Sequence, residues 1–209
     1  MKIAVIGANG KAGQLIVKEA VERGLDVTAV TRSENRSVAK NVIKKDLFSL
    51  TREDLKDFDA VVTAFAAWTP ETFPQHTTSL QHLSDILSGS DKRLLVVGGA
   101  GSLYIDKDFN SQLFQTPDFP ADYFPIASAM AEGLKELRKR DDVNWTYISP
   151  AADFTEDGEK TGEYILAGEI FTVNDKGESV ISYADYAVAL VDEIIKGNHI
   201  KERISVLGK

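Results

Sequence analysis

The sequence predicts a doubly wound α/β domain built on a parallel sheet, and three observations carry that expectation. Short β-branched runs alternate with stretches of helical period along the 209 residues, as strand–helix–strand crossovers require. The first run passes directly into a glycine-rich turn, Gly7-Ala8-Asn9-Gly10-Lys11-Ala12-Gly13, which opens an apolar helical face. Hydrophobic residues make up 43% and charged residues 27%, the balance of one water-soluble globular core.

Strands are expected at Ile3–Ile6, Val27–Thr31, Val42–Lys44, Ala60–Phe65, Leu94–Val97 and Trp145–Ser149. Between the first two, Leu15, Ile16, Val17, Ala20 and Val21 share one helical face, and Gly24 supplies a left-handed stop. A second helix runs through Leu80, Leu83 and Leu87 to Gly89, and a third through Ala127, Met130, Leu134 and Leu137. The last carries Tyr183, Ala187, Leu190, Val191, Ile194 and Ile195, with Ser182 and Asp185 spaced as an approximate capping box. One domain over 1–209 is expected, with a core over 1–150 and a smaller substrate-side region over 151–209. Asp106–Pro125, rich in aromatics and proline, and Thr155–Gly162 follow strand ends, where open α/β sheets bind ligands. Within and beside these loops Trp68, Phe114 and Tyr123 are candidates to stack on a planar substrate, simple packing being the alternative.

Composition also excludes. A net charge of −8 argues against a nucleic-acid backbone or an anionic membrane surface as the main partner. With no cysteine there is no disulfide, no thiolate nucleophile and no cysteine-held zinc, and a cytoplasmic location is expected. His76, His82 and His199 do not fall at helical metal-pair spacing, so no metal site is expected. Ile3–Ile6 is too short for a secretory leader, and the longest apolar stretch, Ala60–Trp68, is too short to span a bilayer. Monomer and homodimer are both compatible with the sequence.

The sharpest local signal is the turn at Gly7–Gly13. Small residues are needed there so that the chain reverses tightly at Gly7, the backbone approaches a diphosphate at Gly10, and helix packs on strand at Gly13. Free amides at the helix start then face the anion, aided by the helix dipole. The spacing is not that of a triphosphate loop: two residues separate Gly7 from Gly10, and Ala12 follows Lys11. At the end of the second strand the chain reads Val30-Thr31-Arg32-Ser33. A guanidinium there favours the 2′-phosphate of NADP(H) over the ribose of NAD(H), while Glu34 is an alternative ribose ligand and an ordinary exposed cation is the bland reading of Arg32.

With these glycines, Arg32, and Asp46-Leu47 after the third strand, the chain resembles the atypical short-chain dehydrogenase/reductase superfamily. Within it the resemblance is to the NmrA-like and biliverdin IXβ reductase/flavin reductase branch. It extends through Val96–Ser102, Ile148-Ser149-Pro150-Ala151, Thr161-Gly162-Glu163-Tyr164 and Val180–Ala187. It implies cofactor contact by Gly7–Gly13 and Arg32, adenine contact by Asp46 and Leu47, and backbone contact along Ala64, Phe65 and Ala66. Ser102, Pro150 and Ala151 would sit near the nicotinamide, with Ser102 the candidate catalytic residue and plain turn chemistry its alternative.

The chain departs from the superfamily in its proton donor. Typical members use Tyr-x-x-x-Lys, but here no tyrosine has a lysine four residues on: Tyr123 is followed by Ala127, then Ser128, Ala129 and Met130, and Tyr104 has Lys107 only three residues later. Loss of a positioned general acid costs about 10²–10⁴ in rate, which disfavours carbonyl and alcohol chemistry. A flavin spreads the incoming charge over its rings and needs no matched proton donor. The expectation is an NAD(P)H-dependent oxidoreductase acting on a flavin or similar planar acceptor. The alternative is a non-catalytic NAD(P)-binding redox sensor of NmrA type; an epimerase or dehydratase is disfavoured by the short chain after Pro150.

Overall fold

Side chains of the first strand alternate between two cores, Ile3 and Val5 entering one and Ala4 and Ile6 the other, so both faces of the sheet must be covered. The computed structural model describes all 209 residues. In chain order the strands are β1 (Lys2–Ile6), β2 (Asp26–Thr31), β3 (Asn41–Lys44), β4 (Ala60–Thr63), β5 (Arg93–Val97), β6 (Asn144–Ser149), β7 (Asp153–Thr155), β8 (Ile165–Ala167), β9 (Val180–Ser182) and β10 (Glu202–Leu207). The helices are α1 (Lys11–Glu22), α2 (Arg52–Leu55), α3 (Gln75–Leu87), α4 (Phe124–Leu137) and α5 (Tyr183–Lys196). The main sheet runs β3-β2-β1-β4-β5-β6-β10-β8, parallel except for β8. α1 and α5 bury Ile16, Val17, Leu190, Val191 and Ile194 in one layer; α3 and α4 bury Leu80, Leu83, Leu134 and Leu137 in the other. The doubly wound α/β fold is as the sequence predicts.

Four strands were not anticipated. β7, β8 and β9 have three residues each, too short for a period to register. β10 hides its alternation because Arg203 and Ser205, both buried, occupy one of its faces, and buried polar residues do not read as a core strand. The segment 151–209 therefore both extends the main sheet through β10 and β8 and forms a separate β7-β9 pair. The strand expected at Ala60–Phe65 ends at Thr63, with one last ladder bond from Ala64 N–H to the Ile6 carbonyl (2.9 Å). Beyond Ile6 the neighbouring chain turns away at Gly7, so nothing remains for residues 65 onward to pair with.

The N-cap of α5 is real, but only half of the expected box forms. Ser182 Oγ accepts from Asp185 N–H (3.0 Å). The Asp185 carboxylate does not reach back; it accepts from Thr161 N–H (2.9 Å), Thr161 Oγ1 (2.8 Å) and Gly162 N–H (2.8 Å). Two distant sequence motifs are thus joined at one buried carboxylate. Removing a buried charged acceptor leaves these donors unpaired, so Asp185→Ala is expected to lower unfolding free energy by about 2–4 kcal/mol. Urea denaturation measures this, and an unchanged midpoint would show that Asp185 does not hold the 161–162 turn.

Candidate dinucleotide and substrate site

The strand order reverses between β1 and β4, and at their carboxyl ends the glycine turn leaves β1. Gly7 has φ +76°, and a Cβ on it would lie 2.8 Å from the Ala64 carbonyl oxygen. Gly10 N–H bonds the Gly7 carbonyl (2.9 Å) and Gly10 caps α1 with no side-chain bond. At Gly13 a Cβ would stand 2.2 Å from the Gly7 oxygen, so helix and strand meet backbone to backbone. The N–H groups of Asn9, Lys11, Ala12 and Gly13 have no backbone acceptor, and no side chain takes their place, leaving a cluster of free donors at a helix N-terminus. Ala8 is fully buried beneath them. These residues fit a diphosphate in both space and hydrogen-bonding capacity.

The Lys11 ammonium is directed away from the turn to Glu156, beyond β7, and that hydrogen bond raises its pKa. Further along α1, Glu19 accepts from Lys160 (2.5 Å) and Arg23 (2.7 Å), and Asp192 of α5 accepts from Arg23 (2.5 Å) and from the Tyr164 hydroxyl (2.7 Å). The 156–164 loop is thereby latched to α1 and α5.

After β2, Arg32 and Arg36 are exposed and neither guanidinium forms an ion pair or hydrogen bond. Glu34, between them, is paired with Lys44 (2.5 Å), which lowers its pKa, so the alternative ribose ligand is already engaged on the surface. The Asn9 side chain crosses to this loop: Nδ2 donates to Ser33 Oγ (3.2 Å) and the Glu34 carbonyl (2.8 Å), and Oδ1 accepts from Arg36 N–H (2.7 Å). After β3, Asp46 caps a short 3₁₀ turn through Phe48 N–H (2.9 Å), and Leu47 is buried. Phe48 meets Phe65 edge-on at 6.4 Å between centroids, and Phe65 meets His76 at 6.3 Å.

In the sequence His76 was weighed only as a metal ligand and Phe48 was not singled out; proximity in the fold marks both. His76 is buried in the first turn of α3, and its Nε2 bonds the Ala67 carbonyl at 3.0 Å. It ties the 64–68 segment, with Ala64 and Phe65 half-buried and Ala66 exposed, to the helix. Trp68 at 71% and Tyr123 at 61% exposure stand open at this end of the sheet, whereas Phe114 packs edge-on against Phe124 at 5.6 Å. Pro150 and Ala151 are buried directly after β6. Ser102 is only 3% exposed; its Oγ accepts from Arg203 Nη1 (2.9 Å), and Arg203 is in turn held by Glu169. Protein, rather than open crevice, surrounds this hydroxyl.

A glycine-cornered helix start at a strand-order reversal, with a basic loop beside it, defines a dinucleotide-binding α/β protein. Comparison with known proteins gives the particular family. The NAD(P)H-binding family model matches residues 7–194. The uncharacterized protein YwnB of Bacillus subtilis is 46% identical, with the alignment covering all of this chain and 99% of that protein. A crystal structure from Streptococcus pneumoniae, described as a "putative NADH-flavin reductase", is 60% identical with a TM-score of 0.98 over the full length of both chains. A "putative epimerase" from Bacteroides thetaiotaomicron is 35% identical with a TM-score of 0.86, covering 99% of this chain and 96% of that one. The chain belongs to the NAD(P)H-binding family, among the atypical short-chain dehydrogenase/reductases.

Burial pushes the His76 imidazole below its ordinary value of 6.5, with the Ala67 carbonyl opposing. The unfolded chain therefore binds more protons at this residue than the folded one as pH falls through 6.5 and below. Stability from this residue is fully present above that value and is lost on acidification between it and the lowered folded-state value. Melting temperatures of wild type and His76→Gln between neutral pH and the onset of carboxylate titration check this; equal slopes would contradict a neutral buried imidazole.

Proposed function

We propose that the chain is an NADPH-dependent reductase that passes hydride to a flavin or similar planar conjugated acceptor. The observation that carries this reading is a built anion cradle beside two uncommitted guanidiniums, in a crevice without a Tyr-x-x-x-Lys pair. In it the turn amides from Gly7 to Gly13 hold the diphosphate, Arg32 takes the 2′-phosphate, and Asp46 and Leu47 border the adenine. The backbone at Ala64, Phe65 and Ala66 lines the cofactor, and Pro150 and Ala151 form the floor near the nicotinamide. Lys11 contributes its free backbone N–H to the cradle, its ammonium being paired with Glu156.

When bound, the nicotinamide supplies the hydride. Trp68 and Tyr123, the open aromatics, flank the acceptor, and Phe114 braces the loop that carries Tyr123. Ser102 contributes at most its hydroxyl proton, since a lone pair is occupied by Arg203; the chain's work is orientation and exclusion of water. The flavin as acceptor is supported by the name of the Streptococcus pneumoniae relative and by the chemistry of a site without a tuned acid. No helix is long and apolar enough to cross a membrane, and a small-molecule acceptor in the cytoplasm fits this reading.

Mixing the protein with NADPH and FMN or FAD should give protein-dependent loss of nicotinamide absorbance. Tight NADPH binding with no oxidation across flavins would instead select the non-catalytic redox sensor. Arg32→Glu should weaken NADPH binding by about 10–100-fold, as loss and reversal of a charge-assisted phosphate contact imply, and NADH binding far less. Calorimetry with both coenzymes measures it, and equal losses would remove the 2′-phosphate role of Arg32.

A further inference from the structure

The net charge of −8 is spread unevenly along the carboxyl edge of the sheet. Residues 32–46, on the β2–β3 side, carry five cations and two carboxylates. The stretches that leave β4, β5 and β6, residues 64–74, 98–123 and 150–163, carry ten carboxylates and two lysines. Of those ten, only Glu156 and Glu163 meet a cation, and their partners Lys11 and Lys209 come from elsewhere in the chain. Of the lysines, Lys160 is engaged by Glu19, and Lys107 stands between Asp106 and Asp108 in the chain. These acidic stretches make no site of their own; they border the open rings proposed to hold the acceptor. Glu71 is three residues from Trp68 and Asp122 adjoins Tyr123, both carboxylates being exposed. Asp118 is exposed beside Phe119, which lies with Phe114 against the turn after β5: a Cβ on Gly101 would stand 3.6 Å from each.

We infer that the acceptor is an uncharged planar ring system, and that the same flavin ring is reduced less efficiently once it carries a phosphate. This rests on the reductase reading above and adds to it the charge of the substrate. One exposed carboxylate acts weakly, but several of one sign around a crevice add to a field that lowers both the local concentration of an anion and its rate of entry. The coenzyme avoids that field on this reading, because its phosphates lie at the glycine turn and the basic loop and only the nicotinamide reaches the acidic side. The chemistry is unaltered: the nicotinamide loses a hydride, the ring gains it, and water supplies the proton that follows.

The test is steady-state kcat/KM for riboflavin and FMN, which share one ring system, with NADPH saturating. It is made at about 0.01 M and about 1 M salt, where exposed charges act over about 30 Å and about 3 Å. Riboflavin should be favoured about 10-fold at low salt, and the two flavins should come within about 2-fold of each other at high salt. Asp118→Asn combined with Asp122→Asn, two exposed side chains outside every ion pair and hydrogen bond of the fold, should raise kcat/KM for FMN about 3-fold at low salt and leave riboflavin unchanged. FMN used as well as riboflavin at low salt would overturn the inference. So would a riboflavin preference that neither salt nor the substitutions change, which would assign the choice to shape. If NADPH binds and neither flavin nor a neutral quinone is reduced, the reductase reading falls and the inference with it; if both flavins turn over equally, only the inference falls.

Discussion

Backbone lies on backbone where α1 leaves β1, with the Gly7 carbonyl so close to residue 13 that a single Cβ would intrude to 2.2 Å. That contact draws the helix start down to the strand end, and much of the site follows from it. With α1 seated this low, Ile16, Val17 and Ala20 reach the core they share with α5. The first-turn amides then stand at the edge of the sheet where the strand order reverses, unpaired and pointing away from the body. Asn9, at the top of the turn, is held within reach of the loop that follows β2. A larger residue at 13 would lift the helix and disperse all three effects, since interiors at native density do not absorb such a displacement locally.

What was legible in the sequence follows the physics of period and proximity. The six long strands and the four longer helices showed themselves because apolar residues recur at strand or helix spacing, and the glycine turn because its three positions sit together in the chain. β10 escaped because Arg203 and Ser205 replace apolar residues on one buried face, their polarity satisfied by Ser102, Glu169 and the Gly168 carbonyl. Such satisfaction depends on partners far away in sequence, which no local window contains. The same reason hid the partners of Lys11 and Glu34 and the enclosure of Ser102. Asp185 is the instructive intermediate case: its spacing to Ser182 signalled a helix start, but the destination of its carboxylate lay in a motif more than twenty residues earlier.

An anion site in a chain of net charge −8 needs local bookkeeping of charge rather than a global one. Screening confines the field of exposed groups to about 8 Å at physiological ionic strength, so what matters is which neighbours are already neutralised. Near the glycine turn Glu156 is matched by Lys11, and after β2 Glu34 is matched by Lys44. Glu156 and Glu34 are thus committed, while Arg32 and Arg36 are not. Exposed pairs of this kind add little to stability, but they remove the carboxylates that would oppose a phosphate.

The polar network around Arg203 bears on the chemistry by what it withholds. A guanidinium buried against Tyr104, Glu169 and Ser102 holds the segment after β5 to the last parallel strand, and in doing so it engages the hydroxyl that sequence alone would place beside the reacting ring. With that group occupied and no Tyr-x-x-x-Lys pair in the sequence, the reductase reading favours acceptors that need no alkoxide protonated at once. Acceptors that delocalise the incoming electron pair escape this limit, because their protonation can follow transfer and draw on water. Rate then depends on how well two planar rings are held face to face, and discrimination passes from acid–base residues to the loops after β4 and β5. Those loops carry the open rings of Trp68 and Tyr123, on a scaffold fixed by His76 and by the packing of Phe114 on Phe124. On the proposed reading, acceptor choice is a property of loop shape, and coenzyme choice of a separate loop across the sheet.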